Sequence, residues 1–402
     1  MRATLGLPIR TGCSSPPAAA DPTGVSGWTH RAGALAVLVL LAVCLLRDIG
    51  PRRFAVHPVG FDRLSGWKDD RIAAAIPAFL NSCARFLRRP VDAAIDAMAI
   101  SADFGRVGDW RVACQTAGSL PPGDDKAARN FFETNFTPFA VSDFGTPGGL
   151  FTGYYEIELK GSLTRRGPYQ TPIYRKPPDI GSGARPTRAQ IEDGALADRG
   201  LELLWVDDPI DAFFLQIQGS GHVQLEGGGS IRIGYDGQNG EPYVAVGRLL
   251  IERGLIPREK MSMSAIRTWM KEHPKAGAVL RREDPSYVFF RKMGDDGPIG
   301  AEGVVLTPER SIAVDRAFIA LGVPIWLEAD ERFALAEGVR RLLVAQDTGG
   351  AIKGPVRGDV FWGTGTAAGA RAGIMNARGR YYLLLPRTVA ARLAPGLGTA
   401  PH

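Results

Sequence analysis

The sequence predicts a mainly β protein with helices, an α+β chain, and three observations carry that expectation. Fifty glycines and twenty-nine prolines in 402 residues supply many turns, which suits short strands and barrels better than a helical bundle. Helical periodicity is concentrated between Phe61 and about Ser142, whereas from Leu150 onward short apolar or alternating runs are bounded by turn formers. The stretch from Leu342 to Arg371, LLVAQDTGGAIKGPVRGDVFWGTGTAAGAR, sets acids and aromatics among closely spaced glycines.

Taken in order, residues 1–53 read as a leader. Gly33 to Leu46 is an apolar run with Arg31 before it and Arg47, Arg52 and Arg53 after it, shorter than the roughly 17–25 residues of a spanning helix. It is expected to be an export signal or a signal anchor. Ala42-Val43-Cys44 departs from a lipoprotein signal, because Val43 is not small. Asp69-Asp70 is expected to open a helix whose residues Ile72, Ile76, Phe79, Leu80 and Phe86 share a face. A second helical run spans Asp92 to Met98 and a third Lys126 to Phe136, with Pro121-Pro122-Gly123 as a turn between them.

The strand pattern begins with Phe151 to Leu159, a turn at Lys160-Gly161-Ser162, and Tyr169 to Tyr174, followed by a short helix from Arg188 to Leu196. Phe213 to Gln218 and Ser230 to Tyr235 alternate like strands, with Gly227-Gly228-Gly229 between them. On that reading Gln216 and Gln218 share one face, where their amides offer both donor and acceptor to a sugar hydroxyl. A solvated strand face explains the same pattern. Val244 to Arg253, closed by Gly254, and Ser264 to Glu272 read as helices, then come the strand Tyr287 to Arg291, the loop Gly294 to Gly300 and a last set of strands ending with Tyr381 to Leu385.

Two carboxylates in the C-terminal stretch are the candidates for chemistry. The apolar run Leu342 to Ala345 delivers Asp347 at a strand mouth, where Thr348, Gly349 and Gly350 turn the chain. The short strand Val360 to Trp362 follows Gly358-Asp359 and precedes Gly363 and Gly365, so the backbone around Asp359 is expected to approach a ligand closely. The plainer reading makes these acids turn caps.

A formal charge of +6 favours an acidic partner, which a carboxylate-rich wall polymer or anionic lipid satisfies. No Lys/Arg block interleaved with aromatics appears, which argues against nucleic acid. Four cysteines without a C-x-x-C pair and five histidines argue against a metal site. Cys83 and Cys114 are the thiols outside the leader, and in an exported protein they can bridge or stay as two buried small hydrophobes.

The run DTGGAIKGPVRGDVFWGTG, with Ala313-Val314-Asp315-Arg316 and Leu321-Gly322-Val323-Pro324 ahead of it, resembles the C-terminal barrel of the membrane-bound lytic murein transglycosylase A family. The resemblance continues upstream in the expected order through Gly153-Tyr154-Tyr155-Glu156, FFLQIQGSG ending at Gly221, GYDGQNGEPY ending at Tyr243, and PSYVFF ending at Phe290. It implies a double-psi β-barrel domain built from both chain ends and a second β-barrel inserted in it. On this sequence that gives an N-terminal helical part at 54–152, an insert at 153–290, the double-psi barrel at 291–390 and a tail at 391–402. A groove between the two domains would hold the glycan.

The same resemblance implies a peptidoglycan lytic transglycosylase, which cleaves the β-1,4 bond between N-acetylmuramic acid and N-acetylglucosamine and leaves 1,6-anhydro ends. Carried over residue by residue, Asp359 is the single acid and then base, with Asp347 and Asp315 as supporting acids. Tyr154, Tyr155, Gln216, Gln218, Gly219, Lys353 and Trp362 are the expected substrate-binding residues. To act as an acid near neutral pH, Asp359 needs surroundings that favour its protonated form. Burial beside Phe361 or Trp362 and a nearby carboxylate work that way, while Lys353 or Arg357 close by would oppose it. No cofactor and no metal are expected. The expected partners are glycan strands, a membrane through the N-terminal segment, and a cell-envelope complex. The expected location is the periplasmic side. Two other readings remain at this point: a conventional wall-polysaccharide hydrolase using water, and a glycan-binding envelope protein without activity.

Overall fold

Three helices packed by aromatic rings come first. In the computed structural model, which describes residues 54–99, 103–181, 185–294, 296–330 and 338–394, a 3-10 turn over Ile72–Ala75 leads into α1 (Ile76–Phe86), followed by α2 (Val107–Ala117) and α3 (Asp125–Asn135). Phe79 sits 5.8–6.5 Å from the rings of Trp110, Phe131, Phe132 and Phe136. Cys83 and Cys114 form a disulfide between α1 and α2. The leader run Gly33 to Leu46 lies outside the described residues. Among those described, no helix is long and apolar enough to cross a membrane.

Two helical expectations are corrected here. Asp92 to Met98 is not a helix but a turn-rich segment bridged to Arg106 through Ala94. Its Asp96 is turned inward to accept from Arg316 at 2.9 Å and from the Leu321 amide at 3.1 Å. Asp69-Asp70 does not cap a helix either. Asp70 pairs with Arg310 at 2.7 and 2.9 Å and accepts from the Leu342 amide, tying the helical part to the C-terminal strands.

The described residues form thirteen strands: β1 (Ala55–Pro58), β2 (Phe136–Ser142), β3 (Gly149–Ser162), β4 (Thr171–Tyr174), β5 (Glu202–Val206), β6 (Ser220–Leu225), β7 (Ser230–Gln238), β8 (Val288–Lys292), β9 (Ser311–Val314), β10 (Pro324–Ala329), β11 (Val339–Asp347), β12 (Arg357–Thr364) and β13 (Asn376–Pro386). Six of them close a barrel in the order β13-β10-β11-β9-β12-β3, with β3 returning to β13. The pairs β9–β11 and β3–β12 are parallel and the other four are antiparallel. Closure removes the exposed edges that such apolar strands would otherwise present. β2 and β1 extend the sheet from β13.

The second sheet, ordered β4-β5-β3-β6-β7-β8, grows from the far half of β3, and its edge strands β4 and β8 touch. No turn forms at Lys160-Gly161-Ser162, because β3 runs on to pair Gly161 with Val206 and Leu225. Gly161 is needed there for space: a Cβ would lie 2.5 Å from Val223 Cγ1.

Phe213 to Gln218 is likewise no strand. It is the end of α4 (Pro209–Gln218), with Pro209 in the first turn, Asp208 accepting from the Ile210 amide at 2.7 Å, and Gly219 closing the helix at φ 81°. A buried helix with apolar residues on most sides imitates alternation over six residues, and the caps are the better signal. The short helix expected from Arg188 forms over Arg188–Gln190 and continues as a wider turn over Ile191–Ala195, and the longer helices that remain are α5 (Val246–Glu252), α6 (Met263–Glu272), α7 (Pro274–Arg282), α8 (Gly365–Ile374) and α9 (Arg387–Leu393).

Candidate active site

The register of four neighbouring barrel strands builds the site. Ala313 on β9 pairs with Asp347 on β11 and with Asp359 on β12, and Asp359 pairs in turn with Thr152 on β3. Paired residues project to the same face of a sheet. Asp347, Ala313, Asp359 and Thr152 therefore form one row. The two acids are two strands apart, about 10 Å between backbones at the usual strand spacing, and the small methyl of Ala313 lies between them.

Asp359 is asymmetric. Its Oδ1 accepts from Thr152 Oγ1 and from Arg357 Nη1. Arg357 also donates to Gly358 O at 2.7 Å and to Thr152 Oγ1 at 3.0 Å, so the guanidinium is pinned from several sides. No hydrogen bond to Oδ2 forms among the described residues, and the side chain is 18% exposed. One oxygen is held and the other is free for a ligand.

Asp347 ends β11 as expected. Its Oδ1 accepts from the amides of Ala301 and Thr348 at 2.8 and 2.9 Å, and its Oδ2 from Tyr154 Oη at 2.8 Å. Crowding by protein raises its pKa above the ordinary value, the charge of Asp359 adds to that, and the three hydrogen bonds work against it. Tyr154 packs against Phe361 with centroids 5.2 Å apart. Burial, then Asp347, push its hydroxyl well up, so it stays a neutral donor.

Asp315 does not join the row. It is buried, accepting from the Ala317 amide at 3.1 Å and the Gly354 amide at 2.8 Å, and thereby latches the loop that leads into β12. Lys353 is exposed on that loop.

The structure separates the other expected binding residues from the acids. Tyr155 points the other way from Tyr154, buried against α8 where a Cβ on Gly369 would touch its ring. Gln218 Oε1 accepts from the Tyr155 amide at 3.0 Å, and Gln216 Oε1 from the Val288 amide at 3.3 Å. Both amide oxygens are spent on backbone, Gln218 Nε2 donates to Met263 Sδ at 3.3 Å, and on a helix residues two apart do not share a face. Gly219 serves as the helix cap. Trp362 is 6% exposed, with the guanidinium groups of Arg341 and Arg371 5.6 and 5.7 Å from its ring centroid. The glycines beside Asp359 also serve packing. A Cβ on Gly358 would lie 2.7 Å from Ile312 Cδ1, and Gly363 takes φ 110°.

Two features escaped the sequence reading. Thr152 carries no sequence signal, since only the β3–β12 register brings it to Asp359. Tyr243, from the loop after β7, exposes 39% of its surface. Crowding, then the charges of Asp284 and Asp359, push its hydroxyl up to about 12 against the pull of Arg188. It stands within electrostatic reach of Asp359 from the second sheet.

The MltA specific insert domain matches residues 150–291 and the 3D domain matches residues 310–385. The membrane-bound lytic murein transglycosylase A of Escherichia coli (strain K12) is 39% identical over 284 residues, which cover 69% of this chain and 74% of that protein. The crystal structure of the membrane-bound lytic murein transglycosylase from Agrobacterium tumefaciens aligns with TM-score 0.75 at 33% identity, covering 84% of this chain and 99% of that one. E. coli MltA with bound chitohexaose aligns with TM-score 0.64 at 29% identity over 84% and 96%. With that identity, that coverage and a closed barrel joined to an insert sheet, the chain belongs to the membrane-bound lytic murein transglycosylase A family.

Proposed function

We propose that this protein is a peptidoglycan lytic transglycosylase in which Asp359 alone carries the proton. The observation that supports this most is the free Oδ2 of Asp359, on a carboxyl whose other oxygen is fixed by Thr152 and Arg357. Protonated at Oδ2, Asp359 gives its proton to the glycosidic oxygen as the bond to C1 of N-acetylmuramic acid breaks. Arg357 then faces the new carboxylate. The O6 hydroxyl of the same sugar closes on C1 and returns its proton to Oδ2, which leaves a 1,6-anhydro end and a carboxyl ready for another cycle. Because that nucleophile is part of the substrate, its effective concentration is high, and one carboxyl suffices as acid and then base.

Asp347 has a supporting role in this reading: held by three donors, it faces the space over Ala313 and can orient the sugar or its acetamido group. Asp315 shapes the loop from which Lys353 reaches the substrate. The E. coli relative's structure contains chitohexaose, a β-1,4 chain of amino sugars, and the present protein is read as taking a glycan strand between the acid row and Tyr243. The protein is envelope-associated, and we place its catalytic part on the periplasmic side, held by the segment Gly33 to Leu46. A reporter fused after His402 that is active only in the periplasm agrees with this, and the full-length chain in the cytosol refutes it.

One observation favours a second reading. Two acids about two strand spacings apart, roughly 10 Å between backbones, approach the roughly 6.5–9.5 Å carboxylate separation of inverting hydrolases that activate water. Mass spectrometry of products from purified peptidoglycan separates the two, since anhydro and reducing ends differ by one water. Anhydro ends support the transglycosylase, and reducing ends alone support the hydrolase.

A further inference from the structure

A cavity of about 560 Å³ opens between the end of α1 and the loop that carries Ala301, away from the residues of the acid row. Arg85, Arg88 and Arg89 line it from the helix side, and Asp296 and Glu302 from the loop side. Glu302 is 3% exposed. One of its oxygens, Oε2, accepts from Ser82 Oγ at 2.7 Å, while Oε1 has no hydrogen-bond partner among the described residues. Arg85 Nη1, in a long ion pair 3.5 Å from Oε1, is also buried without a hydrogen bond among the described residues. A donor and an acceptor are thus left incomplete side by side at the wall of a cavity, although leaving such groups unmade is costly.

The charges decide what can enter. A simple anion that reaches Arg88 and Arg89 also meets Asp296 and Glu302, and a simple cation meets the three arginines. A molecule with both signs a few ångströms apart satisfies the two walls together. We propose that this cavity binds a small amino-carboxylate zwitterion, either a free amino acid or the end of a peptide. The carboxylate rests on Arg88 and Arg89, and the ammonium on Glu302 and Asp296. Arg89 Nη1 is already given to Ile95 O at 2.7 Å, which fixes that guanidinium and leaves its other donors to the ligand. Such pairing of planar cations with a carboxylate is the strong form of hydrogen bond.

The site also connects to the acid row. The Glu302 amide donates to Gln346 O at 3.0 Å, the Ala301 amide donates to Asp347 Oδ1 at 2.8 Å, and Gln346 Nε2 donates to Ser82 Oγ at 2.9 Å. A ligand held by Glu302 therefore steadies the loop that hydrogen-bonds Asp347. The inference does not depend on what Asp359 cleaves, because it rests on the cavity's own charges.

The groups facing Glu302 are Ser82 and Arg85 from α1, Arg88 and Arg89 beyond its end, Asp296 on its own loop, and the Asp96–Arg316 pair behind it. Burial pushes Glu302 up to about 7, with Ser82 and Arg85 pulling it down. Binding of an ammonium needs the ionised form, so affinity should rise as pH is raised through about 7.

The test is titration calorimetry on the purified full-length protein with glycine and glycylglycine, against N-acetylglycine, glycine methyl ester and acetate. At pH 8 at least one of the two zwitterions should bind, and the blocked compounds and acetate should bind at least tenfold more weakly. Tighter binding of glycylglycine identifies a peptide end as the source, and tighter binding of glycine a free amino acid. Arg88→Glu, at an exposed position, and Glu302→Gln should each weaken binding at least tenfold, while Arg111→Glu on α2 should not. Equal binding of acetate or N-acetylglycine means an anion site only and overturns the proposal. Equal binding of the methyl ester means a cation site and does the same. Absence of heat with every compound, or unchanged binding in a folded Arg88→Glu variant, also overturns it.

Discussion

In the barrel the buried strand positions of β9, β10 and the run Leu342 to Ala345 are almost wholly apolar, whereas the insert sheet is organised around buried polar groups. Arg188, Asp284 and Asn239 are each at most 2% exposed. Arg188 donates to Asp284 O at 3.0 Å, to its carboxylate at 3.3 Å and to Ser286 O at 2.5 Å, and its guanidinium lies 4.7 Å from the Phe213 ring. Asn239 donates to Pro186 O and Pro285 O and accepts from the Tyr287 amide. Asp284 in turn accepts from the Val244 amide, beside Tyr243. Apolar strands fix the backbone of the acid row by their register. The insert has to place a loop, and loops are placed by hydrogen bonds whose directions are specific.

That contrast can be broken at either end. The largest effect is expected from Asp359→Asn, which keeps shape but cannot carry a proton: release of anhydromuropeptides should fall by roughly 10²–10⁴-fold with an unchanged circular dichroism spectrum. Asp347→Asn should cost less, and a larger loss there would reverse the two roles. On the insert side, Arg188→Met leaves Asp284 buried without its cation and should lower stability by roughly 3–5 kcal/mol in urea unfolding. A shift under 1 kcal/mol would mean that the polar core carries no more than an apolar one.

The helical part offers a third lever. The Cys83–Cys114 bridge, at a sequence separation of 31, is worth roughly 3–4 kcal/mol on chain-entropy grounds, so reduction should lower the melting temperature by several degrees. Two free thiols in the denatured, unreduced ectodomain, cut after the leader that carries Cys13 and Cys44, would show that no bridge exists.

A slightly smaller effect belongs to Glu302, whose proton is held in the folded state up to about pH 7 against 4.5 ordinarily. The stability it supplies is complete below about pH 4.5 and is lost as pH rises to about 7. The loss is roughly 3 kcal/mol, and Glu302→Gln should flatten that slope in melts between pH 5 and 8. The smallest effect is expected from Tyr154→Phe, which removes one donor from Asp347: about 1 kcal/mol, or several-fold in turnover. A loss matching that of Asp359→Asn would give Tyr154 a direct part in proton transfer.

The same contrast explains what the sequence made legible. Leu342 to Ala345 and Val360 to Trp362 are strands buried on both faces, and such strands write themselves as plain apolar runs. The acids at their ends could be picked out for the same reason. In the insert, Phe213 to Gln218 looked like a strand because a helix buried on most sides has no polar stripe to reveal its period. Gln216 and Gln218 then looked like ligands, when their amides complete the backbone bonding of β3 and β8. Asp315 matched the family's acidic trio but is absorbed by the Gly354 amide. Thr152 was invisible because its meeting with Asp359 depends on a parallel pairing about two hundred residues apart in sequence, and nothing local encodes that.

β3 belongs to the barrel at Gly149 to Glu156 and to the insert sheet from Ile157 to Ser162, and it passes between them without a break. Over fourteen residues it is a rod of roughly 45 Å, laced to neighbours along its length. A shift of the insert along that strand would therefore carry with it Thr152 and Tyr154, the two β3 side chains that hold Asp359 and Asp347.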